Sequence, residues 1–471
     1  AGASAVVIGN PDNQIGLYGA AALLGIGLVM AIYIKPSLGA EILIIAVFTN
    51  ISRTLTDSGL PGVIKPLVAI VAVAILMRNI NAGSMLGGRK KTGGIEFFLI
   101  LFFIITVISY VAADNKARAI EVIVDLGKDI VIIYCIFAVL RNPQTWKRSA
   151  WIIITATAFL CLLGGYQVIS GNYDQEFFGL AQVIDDVGES STTARIAGPI
   201  KEPNIWAQIV VAVVPLVLFR IIYEPRTRTK LLAVGILGIL LFEVLNSYSR
   251  GAYLALAIIF VLVALGQRLH PLIWFAGLAA VVLALPFLPA SYTERFLTLS
   301  LLSPTNPTAI YQEDSFRSRS SEMLTGFNMF IQNPLLGVGA GNYPNNYQKY
   351  TADLGLEWRS GERQPHSLYS QILAETGIVG GIAFIGFAFL LLTSLSRTRQ
   401  SIENLAEYQS WEPWISAIQL TIIGYLISSI FLHGEYLRFF WIFTALALSA
   451  IQLTEESLID RDQNPSLEIP I

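Results

Sequence analysis

The sequence is short of the residues on which soluble and secreted proteins rely. Only 14% of its 471 residues are charged, against 54% hydrophobic, and the mean hydropathy is +0.62. A soluble fold cannot hide that much apolar surface, so that class is excluded. The two cysteines, Cys135 and Cys161, both fall inside apolar runs, which leaves neither a disulfide framework nor a thiolate metal site. They read as packing thiols. The net charge of −2 comes without any lysine-arginine run interleaved with aromatics, which sets nucleic acid aside as a partner. Three histidines with no His-x-x-x-His spacing are poor material for a metal site. No cofactor is expected, and a carboxylate-only magnesium site is left open. The first residues lack a basic stretch before a short apolar core and a small-residue cleavage site, so no removable signal peptide is expected and the first span would target the chain itself.

What the sequence has instead is long apolar runs. Crossing about 30 Å of hydrocarbon takes about 20 helical residues, and only closed hydrogen-bonded elements can do it. Runs near 15–34, 38–52, 61–78, 94–112, 118–140, 149–170, 204–223, 230–247, 251–267, 271–289, 367–395, 412–432 and 436–453 predict an all-α, polytopic transmembrane helix bundle of about 12–14 spans. The expected layout is N-terminal helices over 1–170, a loop over 171–203, helices over 204–289, a large loop over 290–366, C-terminal helices over 367–453 and a polar tail over 454–471.

Basic residues cluster in alternate short connections: Arg78, Arg89, Lys90 and Lys91; Arg141, Lys147 and Arg148; Arg220, Arg226, Arg228 and Lys230; Arg268; Arg397 and Arg399. The positive-inside rule puts these in the cytoplasm. The 171–203 loop, the Ser247–Gly251 turn, the 290–366 loop and the His433–Arg438 turn then share the outer side. Within the large loop, apolar residues recur at helical spacing from Phe316 to Ile331 and stop at Asn333-Pro334, which predicts a helix lying over the bundle.

Polar chemistry therefore gathers outside. His366 sits where the large loop meets a membrane helix, and the positive end of that helix would disfavour imidazolium, leaving a neutral ring able to accept a proton. The same position equally suits an interfacial histidine that caps or snorkels, and His270 beside Arg268 reads as a plain interfacial residue. Arg195, Arg250, Arg317, Arg319 and Arg438 form a second outer set. Arginine at membrane depth marks a partner or an anionic ligand, and its planar fork can hold two phosphate oxygens. Salt bridges to Glu202, Glu322 or Glu435 are the alternative. The run Gly337-Val338-Gly339-Ala340-Gly341 has no strand before it and no Lys-Ser/Thr after it, so it reads as a tight turn, not a nucleotide loop. No Gly-x-Ser-x-Gly elbow supports a hydrolase triad.

Four segments also occur in a known order: Arg195–Ala207 with Glu202-Pro203-Asn204, Asn246–Leu254 with Ser249-Arg250-Gly251-Ala252, Arg319–Tyr343 with Asn333-Pro334-Leu335-Leu336-Gly337, and Pro365–Gly380 with His366-Ser367-Leu368-Tyr369 and Glu375-Thr376-Gly377. In this the chain resembles the O-antigen ligase and polymerase superfamily of bacterial membrane glycosyltransferases, over roughly residues 190–440. Met323 departs from the resemblance, since an aromatic residue is usual four positions after Arg319.

The resemblance implies a multi-pass protein of the bacterial inner membrane, with its site on the periplasmic side and a donor glycan on undecaprenyl diphosphate. It also implies Arg195 and Arg319 on the diphosphate, with Arg250 and Arg317 near them, and His366 activating an acceptor hydroxyl. The acceptor would be lipid A-core or another glycan, and membrane lipids would surround the bundle. A metal-independent, inverting transfer is expected, and Tyr343, Tyr347, Tyr350, Trp358 and Tyr369 could stack on sugar faces or form an interfacial belt. Alternatives are a polymerase joining lipid-linked repeat units, an inorganic-carbon transporter and a non-catalytic export partner. Against transport, the sequence shows no inverted repeat and no matching pair of broken helices.

Overall fold

The computed structural model describes residues 25–57, 59, 61–81, 94–187, 192–266, 314–356, 363–434 and 438–463. The helices there are α1 (Gly25–Ile34), α2 (Pro36–Phe48), α3 (Ile51–Asp57), α4 (Ile64–Asn81), α5 (Ile95–Ser109), α6 (Lys116–Val139), α7 (Pro143–Ser170) and α8 (Pro203–Tyr223). They continue as α9 (Thr227–Asn246), α10 (Arg250–Gly266), α11 (Asp314–Gln332), α12 (Tyr343–Asp353), α13 (Leu368–Ile402), α14 (Glu412–Ser428) and α15 (Arg438–Gln463). The protein is an all-α polytopic bundle. Among the described residues, α5, α7, α8, α9, α13 and α15 are long and apolar enough to cross a membrane, and α2 with α3 forms a seventh candidate bent by 57°. The expected span at 271–289 lies outside the described residues.

An α-helix that is apolar all round belongs in the middle. In α8 every residue from Ile205 to Arg220 is buried, and α9 and α14 flank it. Peripheral helices are apolar on both sides instead: α5 exposes Phe97, Ile100 and Ile104, and α13 exposes Ile382, Ile385 and Phe389. Apolar residues facing outward as well as inward are what a lipid solvent requires. The expected span at 118–140 differs. Its helix, α6, carries Arg118, Glu121, Asp125, Lys128 and Asp129; Arg118 pairs with Glu121 and Lys128 with Asp125 along the helix, while buried Asp129 meets Arg438.

The α13 helix is continuous in sequence but broken in space. Gly377 has φ 66° and ψ −164°, a region open essentially to glycine alone. The loop after α11 fills the break. Val338 N donates to Ala374 O (2.8 Å), Gly339 N to Glu375 O (3.1 Å), and Ile378 N to Pro334 O (2.8 Å). Backbone groups freed inside a membrane protein must find such partners. The Asn333–Gly341 stretch is thus the tight turn the sequence suggested, with the added role of a plug. The sequence reading had looked only for a matching pair of broken helices and did not foresee this single break, whose carbonyls are occupied by protein N–H groups. The second irregularity, between α2 and α3, turns at Asn50 (φ 48°), whose Nδ2 donates to Pro199 O at 3.0 Å.

One element went unread in the sequence. In the expected 171–203 loop, β1 (Val183–Val187) and β2 (Thr192–Ile196) form an antiparallel hairpin that pairs Ile184 with Arg195. The β-branched residues Val183, Ile184, Val187, Thr192, Thr193 and Ile196 favour it.

A Cβ on Gly377 would lie 2.3 Å from Leu335 O and 2.7 Å from Leu336 N, both backbone atoms of the plug. Gly377→Ala is expected to lower the melting temperature of the detergent-purified protein markedly, because about 1–3 kcal/mol of backbone strain adds to displacement of the plug. Gly235→Ala, on α9 with nothing within 4 Å of the new methyl, should leave it unchanged or slightly raised.

Candidate active site

The helix ends around Asn50, Asn115, Pro199, Ser247, Leu368 and Ser429 meet at one end of the bundle. Asn115 N donates to Asn342 Oδ1 (2.7 Å), and Leu368 N donates to Ser429 O (3.0 Å), which fixes the start of α13 against the end of α14. Arg195 is buried on β2. Its Nε donates to Ser247 O at 2.9 Å, and its Nη2 to Asn204 Oδ1 at 2.9 Å. Asn204 is itself held by Glu202, whose Oε1 accepts from the Asn204 side chain (2.8 Å) and backbone (3.1 Å) at the N-terminus of α8. The Glu202-Pro203-Asn204 motif is therefore a clamp that orients Arg195 and joins β2, α8 and the end of α9.

Arg319, on α11, completes a cationic cluster. Burial lowers its pKa, and Arg250 and Arg195 lower it further, against the opposing pull of Glu202 and Glu322. Arg195, Arg250 and Arg319 are thus brought together. The Arg317 side chain lies outside the described residues. Arg438 does not join them: its Nε lies 2.9 Å from Asp129 Oδ1 on α6, a salt bridge to a partner the sequence reading did not name.

His366 immediately precedes Ser367, the N-cap of α13, and has φ 43°. Its pKa is lowered to about 3, by burial first and then by His433, Arg319 and Arg363. The ring is neutral at neutral pH, but the helix end invoked from sequence is not among the causes. The His433 ring, in the turn after α14, meets it edge-on at 5.7 Å. On its other side His366 Nε2 lies 3.4 Å from Glu322 Oε2, one turn along α11 from Arg319. Glu322 is fully buried; Arg363 Nη1 approaches its Oε1 at 3.8 Å, and Tyr343 Oη donates to its carbonyl at 2.5 Å. Arg363 Nε is buried with no hydrogen-bond partner among the described residues.

Glu322 and His433 are the members sequence reasoning missed, having treated Glu322 only as a salt-bridge partner for arginine. The signal was there: Arg319 and Glu322 are spaced i,i+3 on one helix face. The aromatics need a correction too. Tyr343, Tyr347 and Tyr350 are buried with Met329, Val338 and Ala374 in a small core beneath α11, so they cannot stack on a sugar, and Tyr369 donates its hydroxyl to Leu426 O (2.8 Å). Trp358 lies outside the described residues. Met323 is half exposed, away from the polar cluster.

Fold and cluster together define a polytopic helical membrane protein that sets Arg319, Arg363 and Glu322 beside a neutral histidine, with Arg195, Arg250 and Glu202 close to Arg319. Residues 235–385, about a third of the chain, match the family model described as O-Antigen ligase. The chain carries the domain of the O-antigen ligase superfamily, a lipid-linked glycan transferase family. No curated protein matches the chain. The matched stretch contains Arg250, Arg319, Glu322, His366 and the Gly377 break, whereas Arg195 and His433 lie outside it.

His366 has a folded pKa of about 3 against about 6.5 when unfolded, so the unfolded chain binds the extra proton between those values. Its contribution to stability is complete above about pH 6.5 and falls as pH drops toward 3. Thermal melts from pH 7.5 to 4.5 should therefore show a steeper loss for the wild type than for His366→Gln.

Proposed function

We propose that the chain is a glycosyltransferase that moves a glycan from a polyprenyl-diphosphate carrier, of the undecaprenyl type, to an acceptor hydroxyl on the outer face of the bacterial inner membrane. The observation that carries this reading is that Arg319 and Arg363 stand beside neutral His366, with Arg195 and Arg250 close to Arg319. Membrane lipids surround the bundle, and the alternation of basic connections puts the cluster on the extracytoplasmic side.

In this mechanism the acceptor O–H bond breaks as His366 takes the proton. The oxygen forms a new C–O bond at the anomeric carbon while the C–O bond to the diphosphate breaks, with inversion. The electron pair leaves on the diphosphate, whose charge Arg195 and Arg319 meet through preorganised N–H groups. Those guanidiniums supply the positive charge at the leaving group, so the reaction is written without a metal. A histidine titrating near 3 is a weak base, and the bound donor changes that. The diphosphate offsets Arg319 and Arg363, two of the charges that hold the ring down, and so raises its pKa toward the working range. Glu322, 3.4 Å from Nε2, fixes the ring and stabilises the imidazolium as it forms.

The same site serves a ligase, whose acceptor is lipid A-core or another surface glycan, and a polymerase, whose acceptor is a second lipid-linked glycan. Transport gains no support from the broken α13, since the Ala374 and Glu375 carbonyls are used by the plug.

The test supplies purified protein with polyprenyl-diphosphate glycan and candidate acceptors. His366→Ala should lower kcat by about 10²–10⁴-fold with little change in donor KM, the usual yield of a positioned base. Arg319→Ala and Arg195→Lys should raise donor KM as well, because lysine cannot hold Ser247 and Asn204 at once. Glu322→Gln should lower kcat and shift the pH profile while leaving donor KM in place. A donor left intact with every acceptor would sink the proposal, and full activity in His366→Ala would remove the base assignment.

A further inference from the structure

Arg195 reaches acceptors on two different helices, Ser247 O at the end of α9 and Asn204 Oδ1 at the start of α8, so its aim depends on how those two ends are held apart. A little further into the bundle the same helices are joined again. Glu243 precedes Ser247 by four residues, Trp206 follows Asn204 by two, and Trp206 Nε1 donates to Glu243 Oε1 at 2.6 Å. Both side chains are fully buried. The backbone carries the link to Arg195 on each side. Ser247 N donates to Glu243 O at 3.0 Å, and Trp206 N donates at 3.0 Å to the carbonyl of Glu202, the residue whose side chain holds Asn204.

Two glycines make room for the pair. A Cβ on Gly164 of α7 would lie 2.8 Å from Glu243 Oε1, 2.9 Å from its Oε2 and 2.9 Å from Ile196 Cγ2, so α7, the carboxyl and the strand residue next to Arg195 meet at one point. A Cβ on Gly198, three residues after Arg195, would lie 2.5 Å from Trp206 Cδ2 and Cε2. The indole therefore meets Glu243 at its N–H and the chain leaving β2 on its ring. A carboxyl is a costly side chain for so buried a place, and its Oε2 has no hydrogen-bond partner among the described residues. An apolar side chain would fill the space without that cost, so packing alone does not account for the acid. The fixed acceptor it offers Trp206 does.

We propose that Glu243 is a positioning residue for Arg195, acting through Trp206. Their hydrogen bond sets the spacing of the α8 and α9 ends that Arg195 bridges, and so aims its guanidinium at the diphosphate. The inference rests on the glycan-transfer reading, which puts Arg195 on that group.

The experiment uses the full chain in nanodiscs and measures equilibrium binding of radiolabelled undecaprenyl diphosphate, the carrier without its glycan. Arg195→Lys should weaken binding about tenfold. Glu243→Leu removes the acceptor and should weaken it by a similar factor; Trp206→Phe removes the donor, keeps a ring and should match it. Glu243→Gln keeps an oxygen for the Trp206 N–H and should stay within about twofold of the wild type. The double variant Glu243→Leu with Arg195→Lys should bind no more weakly than the weaker single variant, because both changes act through one guanidinium. Wild-type affinity in folded Glu243→Leu overturns the proposal, as does a Glu243→Gln protein as weak as Glu243→Leu, or a double variant in which the two losses multiply. If Glu243→Leu does not fold, Trp206→Phe decides by the same criterion, alone and combined with Arg195→Lys. An affinity that Arg195→Lys itself leaves unmoved overturns the diphosphate role of Arg195 and this inference with it, whereas the other failures leave that role standing.

Discussion

The break in α13 at Gly377 and the loop that fills it hold the candidate site together. A membrane helix cannot leave carbonyls open to lipid, so the interruption demands donors from elsewhere in the protein. The Asn333–Gly341 turn supplies them, and its neighbours are placed as a consequence. The α11 helix lies just before the turn and α12 just after it, so docking the turn sets α11 against the start of α13. Arg319 and Glu322 then reach His366. Asn342, at the end of the plug, bonds the backbone at Asn115, which ties α6 and its row of charges into the same assembly.

Two charged regions follow from that arrangement. On one side the guanidiniums of the cluster outnumber the carboxylates, and burial together with their field holds His366 neutral. On the other, along α6, Arg118 pairs with Glu121, Lys128 with Asp125 and Asp129 with Arg438. The backbone at His366 is strained, with φ 43°, just before the Ser367 N-cap of α13. The matched family domain covers His366 and α11 but stops short of Arg195, on β2, and His433, in the turn after α14. The candidate cluster thus draws on more of the chain than the matched domain alone.

Much of the fold was legible from composition and periodicity. Apolar runs of bilayer length announce helices whichever neighbour they meet, and the α11 amphipathic spacing with its Asn333-Pro334 stop gave that helix almost to the residue. The charged half of α6 was read as an ordinary span because a hydropathy window averages over Asp125, Lys128 and Asp129. The hairpin at Val183–Ile196 escaped because strands of five residues carry too little periodic signal. The tyrosines of α12 were misread because an aromatic near a membrane surface suits a sugar platform and a small buried core equally well.

The sequence by itself determined the solvent, the helical class and the residue types of the cluster, since these depend on local hydropathy, spacing and side-chain chemistry. It also named Arg195, Arg250, Arg319 and His366. Only the tertiary structure decided which of the outer arginines converge, that Arg438 is spent on Asp129, and that Glu322 and His433 stand beside His366. Those outcomes depend on contacts between residues from tens to hundreds of positions apart. The pairing is set by how α11 docks into a broken helix, and no local pattern encodes it.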